Sequence, residues 1–402
     1  MSLRLVFRHY RQLAILVLPM LLVAKSIGLQ SHAGDRILQS APGPERGRVM
    51  RYKLFGRSGL RVSELCLGTA GFGLHKPKEA NGAESSGTPG GARHIMQTFA
   101  EAGGNFIDTA DVYSDGESER IVGDFLRSDR DHFVISTKYT QSMGTDLSKA
   151  GNSRKNMRRS VEASLRRLGI ECIDIFWLHS WDFTTPMDEI MRGFDDLVSA
   201  GKVNYIGASN VEAWRVSSAN MLADLRGWAP FIGVQIAYSL LERTPERDLL
   251  PMAQELDLGI TAYSPLGGGL LTGKYAGAAS KTATGRWAGK DISEHQRFIV
   301  DQVVAVATEM ECSPGHVGLA WLCQQTQFKN AVIPVIGARN ADQIDNNLQC
   351  LNLRLSAPHL EMLSKASAVD LGYLHNFLTA RGFTARDLSF AGQFDAVDNH
   401  RA

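Results

Sequence analysis

Eight short apolar runs, each followed by an amphipathic stretch of helical period, constrain this chain more than any other feature. The runs lie at 65–67, 105–108, 133–138, 174–179, 204–209, 233–236, 259–263 and 331–336. The helical stretches lie at 92–102, 117–126, 154–168, 187–200, 213–225, 245–256, 314–326 and 341–348. Strands alternating with helices through right-handed crossovers build a parallel sheet covered by helices. Eight such units predict a closed α/β barrel, the (β/α)8 TIM barrel. A hairpin over 52–62, turning at Ser58-Gly59, precedes the first run. The competing arrangement is an open doubly wound sheet, but its dinucleotide-binding form needs a glycine fingerprint that is missing here.

Composition narrows the classes. The 402 residues are 44% apolar and 21% charged, enough for a large core. A net charge of +1 gives no argument for nucleic acid or an acidic partner. The five cysteines, Cys66, Cys172, Cys312, Cys323 and Cys350, are widely spaced and contain no C-x-x-C. That pattern favours a reducing compartment over a disulfide framework or zinc knuckle, and hence the cytoplasm.

Residues 1–49 stand apart, with seven Lys/Arg against two Asp/Glu. Arg4, Arg8 and Arg11 precede an apolar run over 13–24, and Ser31-His32-Ala33 resembles a cleavage site. Three readings compete: an extension outside the working protein, with Met50 as a possible start; export through residues 1–33; or a membrane anchor. The run falls short of the roughly 20 residues that a membrane span needs. A domain division at 1–49, 50–355 (the barrel) and 356–402 (a tail) follows.

The chemistry lies at the strand ends. Asp108, Lys138, His179, Ser209-Asn210, Gln235 and Tyr263 all fall at or just past the carboxyl ends of successive strands. In a barrel those ends converge on one face, where the site is built. Taken alone, Asp108 reads as a helix cap, Tyr113 as packing and His179 as a satisfied core histidine. Together they make a proton donor and an oxygen-binding pocket. A phenol with a pKa near 10 is a weak acid at neutral pH. An ammonium within hydrogen-bond reach stabilises its phenolate. Lys138 is placed to supply that charge, Asp108 to hold it, and His179 to donate to a carbonyl oxygen. No G-x-S-x-G or H-E-x-x-H occurs, so neither a serine hydrolase nor a zinc site is indicated, and no metal is expected.

A reduction then needs hydride from a cofactor. Ser209, Asn210 and Gln235 suit a carboxamide, and Tyr263 suits the face of a nicotinamide ring. The loop S-P-L-G-G-G-L-L-T-G-K-Y nearly matches a phosphate-binding NTPase loop, but Tyr275 stands where Ser or Thr would bind magnesium. It reads instead as a flap over a pyrophosphate. After the eighth strand, I-G-A-R-N-A-D-Q-I-D-N-N offers a helix N-terminus and Arg339 to a phosphate. An ordinary surface arginine is the alternative.

With these motifs quoted, the chain resembles the aldo-keto reductase superfamily over 52–353, most closely its aryl-alcohol dehydrogenase-like branch, around H-S-W-D-F-T-T-P. The family's D-x-x-x-x-Y, K and H tetrad matches Asp108, Tyr113, Lys138 and His179, which implies Tyr113 as general acid. The resemblance implies Ser209, Asn210, Gln235 and Tyr263 at the nicotinamide. It implies Ser264, Leu266, Gly267, Gly268 and Lys274 along the pyrophosphate, and Gly337, Arg339, Gln343, Asn346 and Asn347 at the adenosine end. Arg339 suits a 2′-phosphate, hence NADPH, with NADH open. The implied reaction is reversible reduction of a small-molecule aldehyde or ketone. A regulatory, NADPH-binding subunit of the channel β-subunit type is the second reading.

Two segments lie outside the family pattern. An insertion between Gly73 and Gly91, rich in Gly, Lys, Glu and Ser, reads as a loop instead of a lid. The tail contains a helix over 357–368, and its aromatics Tyr373, Phe377, Phe383, Phe390 and Phe394 predict packing on the barrel near the substrate. Trp181, Phe183 and Trp287, in loops after the fourth and seventh strands, are candidates for an apolar substrate pocket. The preferred direction and the oligomeric state are not legible.

Overall fold

The computed structural model describes residues 50–74, 85–142, 144–275, 287, 291–325, 330–379 and 389–398. The expectations for residues 1–49, and for the insertion over 75–84, lie outside the described residues. The hairpin forms as expected, with β1 (Tyr52–Leu54) antiparallel to β2 (Arg61–Ser63). Eight parallel strands then close a barrel: β3 (Cys66–Gly68), β4 (Phe106–Asp108), β5 (Val134–Tyr139), β6 (Ile173–Leu178), β7 (Val203–Ser209), β8 (Phe231–Ala237), β9 (Gly259–Tyr263) and β10 (Val332–Ile336). β10 pairs with both β3 and β9, which completes the ring. The chain therefore folds as a (β/α)8 barrel.

Strand parity decides what points inward. In β4, Phe106 packs inside the barrel and Ile107 packs outward against the helices, so Asp108 returns to the interior. In β5 the same alternation puts Val134 inside and Ile135 outside. Ser136 and Lys138 therefore share the inner face. In β6, Ile175 and Trp177 face inward and Phe176 and Leu178 outward, which aims His179, the next residue, at the top of the barrel.

The bottom is closed from below by the hairpin. Phe55 is fully buried and meets Phe106 and Trp177 edge-on, with ring centroids 5.8 and 6.2 Å away. Gly233 is required there, because a Cβ would lie 2.4 Å from the Phe55 ring. Apolar side chains thus fill the lower barrel, and polar ones collect at the upper rim.

Outside the strands run α1 (Pro89–Glu101), α2 (Glu117–Leu126), α3 (Arg154–Leu168), α4 (Met187–Ser199), α5 (Ala213–Arg226), α6 (Leu249–Glu255), α7 (Glu294–Glu309), α8 (Pro314–Cys323) and α9 (Ala341–Leu348). The stretch expected as one helix over 245–256 divides into a 3-10 turn, Thr244–Arg247, and α6. α7 was not expected. Its start carries a capping box between Ser293 and Gln296, and its apolar side is buried at Ile299, Val300, Val303, Val306 and Ala307.

The tail contributes α10 (Ala357–Ala366) and α11 (Tyr373–Thr379). α10 packs on the barrel through buried Leu363 and a bond from Trp321 Nε1 to Ser364 Oγ at 3.1 Å. The expectation that the tail's aromatics pack down is corrected: Tyr373 is 80% exposed and Phe377 49%. Four residues apart on one helix face, they stack on each other at 5.9 Å and shield part of their own surface. Phe390 is also exposed, and Phe383 and the Phe394 side chain lie outside the described residues. Among the described residues, no helix is long and apolar enough to cross a membrane.

Candidate active site

The four tetrad residues meet at the upper rim. Lys138 is fully buried, and each of its three N–H bonds has an acceptor. Nζ donates to Asp108 Oδ2 at 2.5 Å, to the Thr109 carbonyl at 2.7 Å and to the Tyr113 hydroxyl at 3.3 Å. Burial opposes the Lys138 charge, but Asp108 and then Tyr113 outweigh it, and the ammonium is held more strongly than in water. Tyr113 opens a 3-10 turn, Tyr113–Gly116, in which Ser114 and Asp115 take positive φ of 49° and 54°. Gly116, at φ 85°, has no room for a side chain, because a Cβ would lie 2.6 Å from Arg167. That tight turn brings the phenol back over the barrel.

His179 meets the Tyr113 ring edge-on at 6.2 Å. Burial first, and the Lys138 charge second, push its pKa down to about 3, so the imidazole is neutral at physiological pH. A neutral imidazole and a phenol face one cavity of about 570 Å³. That pair can donate hydrogen bonds to one oxygen atom.

Ser209, Asn210, Gln235 and Tyr263 line the same cavity. Asn210 is already committed: its Nδ2 donates to the His179 carbonyl at 2.9 Å and to Ser209 Oγ at 3.1 Å. Its Oδ1 accepts from the Tyr263 hydroxyl at 2.9 Å. Ser209 Oγ accepts that bond and keeps its own proton to donate. Gln235 donates from Nε2 to Asp108 Oδ1 at 3.0 Å, which leaves Oε1 as an acceptor. A donor and an acceptor side by side match a primary carboxamide.

Ser264, Leu266, Gly268, Lys274, Gly337, Arg339, Gln343 and Asn347 also line the cavity. Gly267 and Asn346 do not. Gly267 turns away at φ 56°, its Cα toward Leu241. Asn346 lies on α9 one residue from Asn347, a turn of 100°, while Gln343 and Asn347 share a face. The Asn346 carbonyl is instead 2.7 Å from His316 Nε2.

None of the three aromatics Trp181, Phe183 and Trp287 lines this cavity. Trp181 is half-buried beneath the Arg215 guanidinium, 4.2 Å from its ring, and Arg215 also covers Trp214 at 4.1 Å. Phe183 is 79% exposed at φ 62°. The neighbouring Asp182 fixes that loop: despite burial, bonds from Asn152, Thr185 and Thr184 pull its carboxyl down to about 2. Trp287 donates from Nε1 to the Gly267 carbonyl at 2.7 Å and braces the glycine loop.

Sequence reasoning missed Ser136, whose hydroxyl donates to Asp108 Oδ1 at 2.6 Å, and Ser86, which lines the cavity and donates its N–H to the Arg339 carbonyl at 2.7 Å. The signal for Ser136 was present, since it precedes Lys138 by two residues on one strand.

The profile described as Aldo/keto reductase family matches residues 64–368. Norsolorinic acid reductase of Aspergillus flavus is 35% identical over 85% of this chain and 87% of its own. An aryl-alcohol dehydrogenase of Pestalotiopsis microspora is 32% identical over 90% of this chain and 95% of its own. An uncharacterised oxidoreductase of Bacillus subtilis is 34% identical over 78% and 95%. With the family's profile spanning most of its barrel, this chain belongs to the aldo/keto reductase family of oxidoreductases.

Proposed function

We propose that this protein reduces an aryl aldehyde or ketone to the alcohol, reversibly, with NADPH as the hydride donor and Tyr113 as the proton donor. The observation that carries the reading is the Lys138 ammonium, buried and bonded to both Asp108 and the Tyr113 hydroxyl. Beside a phenol, a fixed positive charge favours the phenolate left when the proton is given up. His179, neutral, donates to the same carbonyl oxygen and fixes it beside the Tyr113 hydroxyl.

The residues present fit a nicotinamide dinucleotide. Ser209 and Gln235 offer the donor and acceptor that a carboxamide needs, and Tyr263 offers an aromatic face. Gly268, Gly269 and Lys274 suit a pyrophosphate, and Arg339 with the N-terminus of α9 suits a 2′-phosphate. When bound, the cofactor supplies hydride to the carbonyl carbon. The aryl preference rests on the relative named as an aryl-alcohol dehydrogenase.

The test is NADPH oxidation with a panel of aromatic and aliphatic aldehydes, run beside Tyr113→Phe. We expect turnover on the aromatic members, and a loss of roughly a thousand-fold or more in the variant with NADPH affinity retained. Turnover by Tyr113→Phe at the wild-type rate would remove Tyr113 from its role. Tight NADPH binding with no turnover on any carbonyl would favour the regulatory reading.

A further inference from the structure

We propose that Ser136 is a positioning residue for the tetrad: together with Gln235 it holds the Asp108 carboxylate in the orientation that keeps the Lys138 ammonium against Tyr113. The inference rests on the proposed role of Tyr113. Its basis is how the two Asp108 oxygens divide their partners. Oδ2 takes Lys138 alone, and Oδ1 takes the Ser136 hydroxyl at 2.6 Å and the Gln235 amide at 3.0 Å. A carboxylate only accepts, so both groups must point their protons at it.

Rotation of the carboxyl about its Cβ–Cγ bond would strip Oδ1 of two donors at once. Little water reaches Oδ1 to offset that loss, since Ser136 is fully buried and Asp108 is 2% exposed. Lys138 in turn has no slack. One N–H is tied to the Thr109 carbonyl, so the angle at which it meets Tyr113 is set by where Asp108 holds the second. Ser136 thus fixes Asp108, Asp108 fixes Lys138, and Lys138 fixes the charge beside the phenol. Among these links, Ser136 alone touches neither the cavity nor the phenol.

The ionisable groups facing Asp108 are few. Lys138 approaches from β5 and Tyr113 from the turn after β4, with His179 beyond them. The Cys66 thiol lies below in β3, where burial and then the Asp108 charge push it well above its ordinary range. His179 is neutral and Cys66 is a thiol across the working range, so an alkaline limb in the activity profile reports loss of the Lys138 charge, which Asp108 sustains.

The experiment measures kcat and kcat/KM for reduction of 4-nitrobenzaldehyde by NADPH from pH 5 to 11. It compares the full chain, Ser136→Ala, the nearly isosteric weak donor Ser136→Cys, and Tyr113→Phe. With Asp108 loosened, the ammonium loses part of the carboxylate charge that holds its proton. We expect Ser136→Ala to lose roughly ten-fold in kcat and its alkaline limb to move down by about half a pH unit or more, while NADPH affinity holds. Ser136→Cys should fall between wild type and Ser136→Ala, and it carries the test if the alanine variant does not fold. An unmoved limb in the folded variants overturns the proposal, whether or not kcat falls, because a merely structural role lowers activity without moving the limb. Wild-type behaviour of the Ser136 variants beside an inactive Tyr113→Phe removes Ser136 alone, whereas an active Tyr113→Phe removes the reading of the site.

Discussion

Asp111, two residues before Tyr113, carries a buried carboxyl whose Oδ1 has no hydrogen-bond partner. Beside it, Glu119 is fully buried, accepting from Thr137 Oγ1 at 2.7 Å and from Arg167 Nε at 2.6 Å. Arg167, a hydrogen bond from Ser160 and the Arg159 charge do not together offset the burial of two carboxylates. Burial first and Glu119 second push Asp111 up to about 7, with Arg167 opposing. In the unfolded chain an aspartate titrates near 3.9. The folded form therefore keeps a proton that the unfolded form loses, and stability present below about pH 4 drains away as pH rises towards 7. Asp111→Asn removes that dependence. Its melting temperature should exceed wild type by several degrees at pH 8 and by little at pH 4, as read by thermal denaturation at both. An equal shift at the two values would count against the assignment. The D-x-x-x-x-Y spacing made Asp108 and Tyr113 legible in the sequence, because one ends β4 and the other opens the turn that follows it. The environment of Asp111 was not, since Glu119 and Arg167 arrive from α2 and α3.

Strand and helix order were legible because each element repeats one pattern, and the inward parity of Asp108, Ser136 and Lys138 follows from counting by twos. α7 was missed although Ser293, Gln296 and the buried Ile299, Val300, Val303, Val306 and Ala307 announce it. Its many β-branched residues and the single helix expected between the last two strands worked against reading it. The glycine loop was legible as an element but not as a shape. Gly268 and Gly269 hold φ of 67° and 95°, in a region that side chains disfavour. A Cβ on Gly269 would meet only the end of the Lys274 side chain, at 3.5 Å, so space is available and the cost is conformational. Gly269→Ala should distort the loop at about 1 kcal/mol and weaken NADPH binding roughly five-fold. Titration of cofactor fluorescence would check this, and an unchanged affinity would show that the loop shape does not serve the cofactor.

At the scale of the whole molecule, the tail is fastened by polar groups instead of the aromatics that made it look sticky in sequence. Arg243, 5% exposed, is held by Glu246, including Nη2 to Oε2 at 2.8 Å, and its guanidinium lies 4.9 Å from the Trp321 ring. Its Nη1 donates to Ser367 Oγ at 2.7 Å and to the Ser364 carbonyl at 3.2 Å, both in the tail. Glu246 also accepts from the Tyr238 hydroxyl at 2.6 Å. Farther along, Arg247 Nη2 donates to the Asp370 carbonyl at 3.2 Å. Contacts between residues more than 120 apart leave no local pattern, which is why this latch was invisible in the sequence. The latch reaches the active site through the same loop, since Leu241 lies against Gly267 at the start of the glycine loop. Arg243→Met keeps much of the bulk but leaves the partly buried Glu246 without its cation, a loss of about 1–3 kcal/mol. The variant should melt several degrees lower and expose the tail to limited proteolysis near Ser356, and its NADPH affinity should fall because Leu241 no longer backs the glycine loop. Wild-type melting with an uncut tail would mean that α10 is held by its apolar contacts alone. A lower melting temperature with unchanged NADPH affinity would keep the latch and break its link to the cofactor loop.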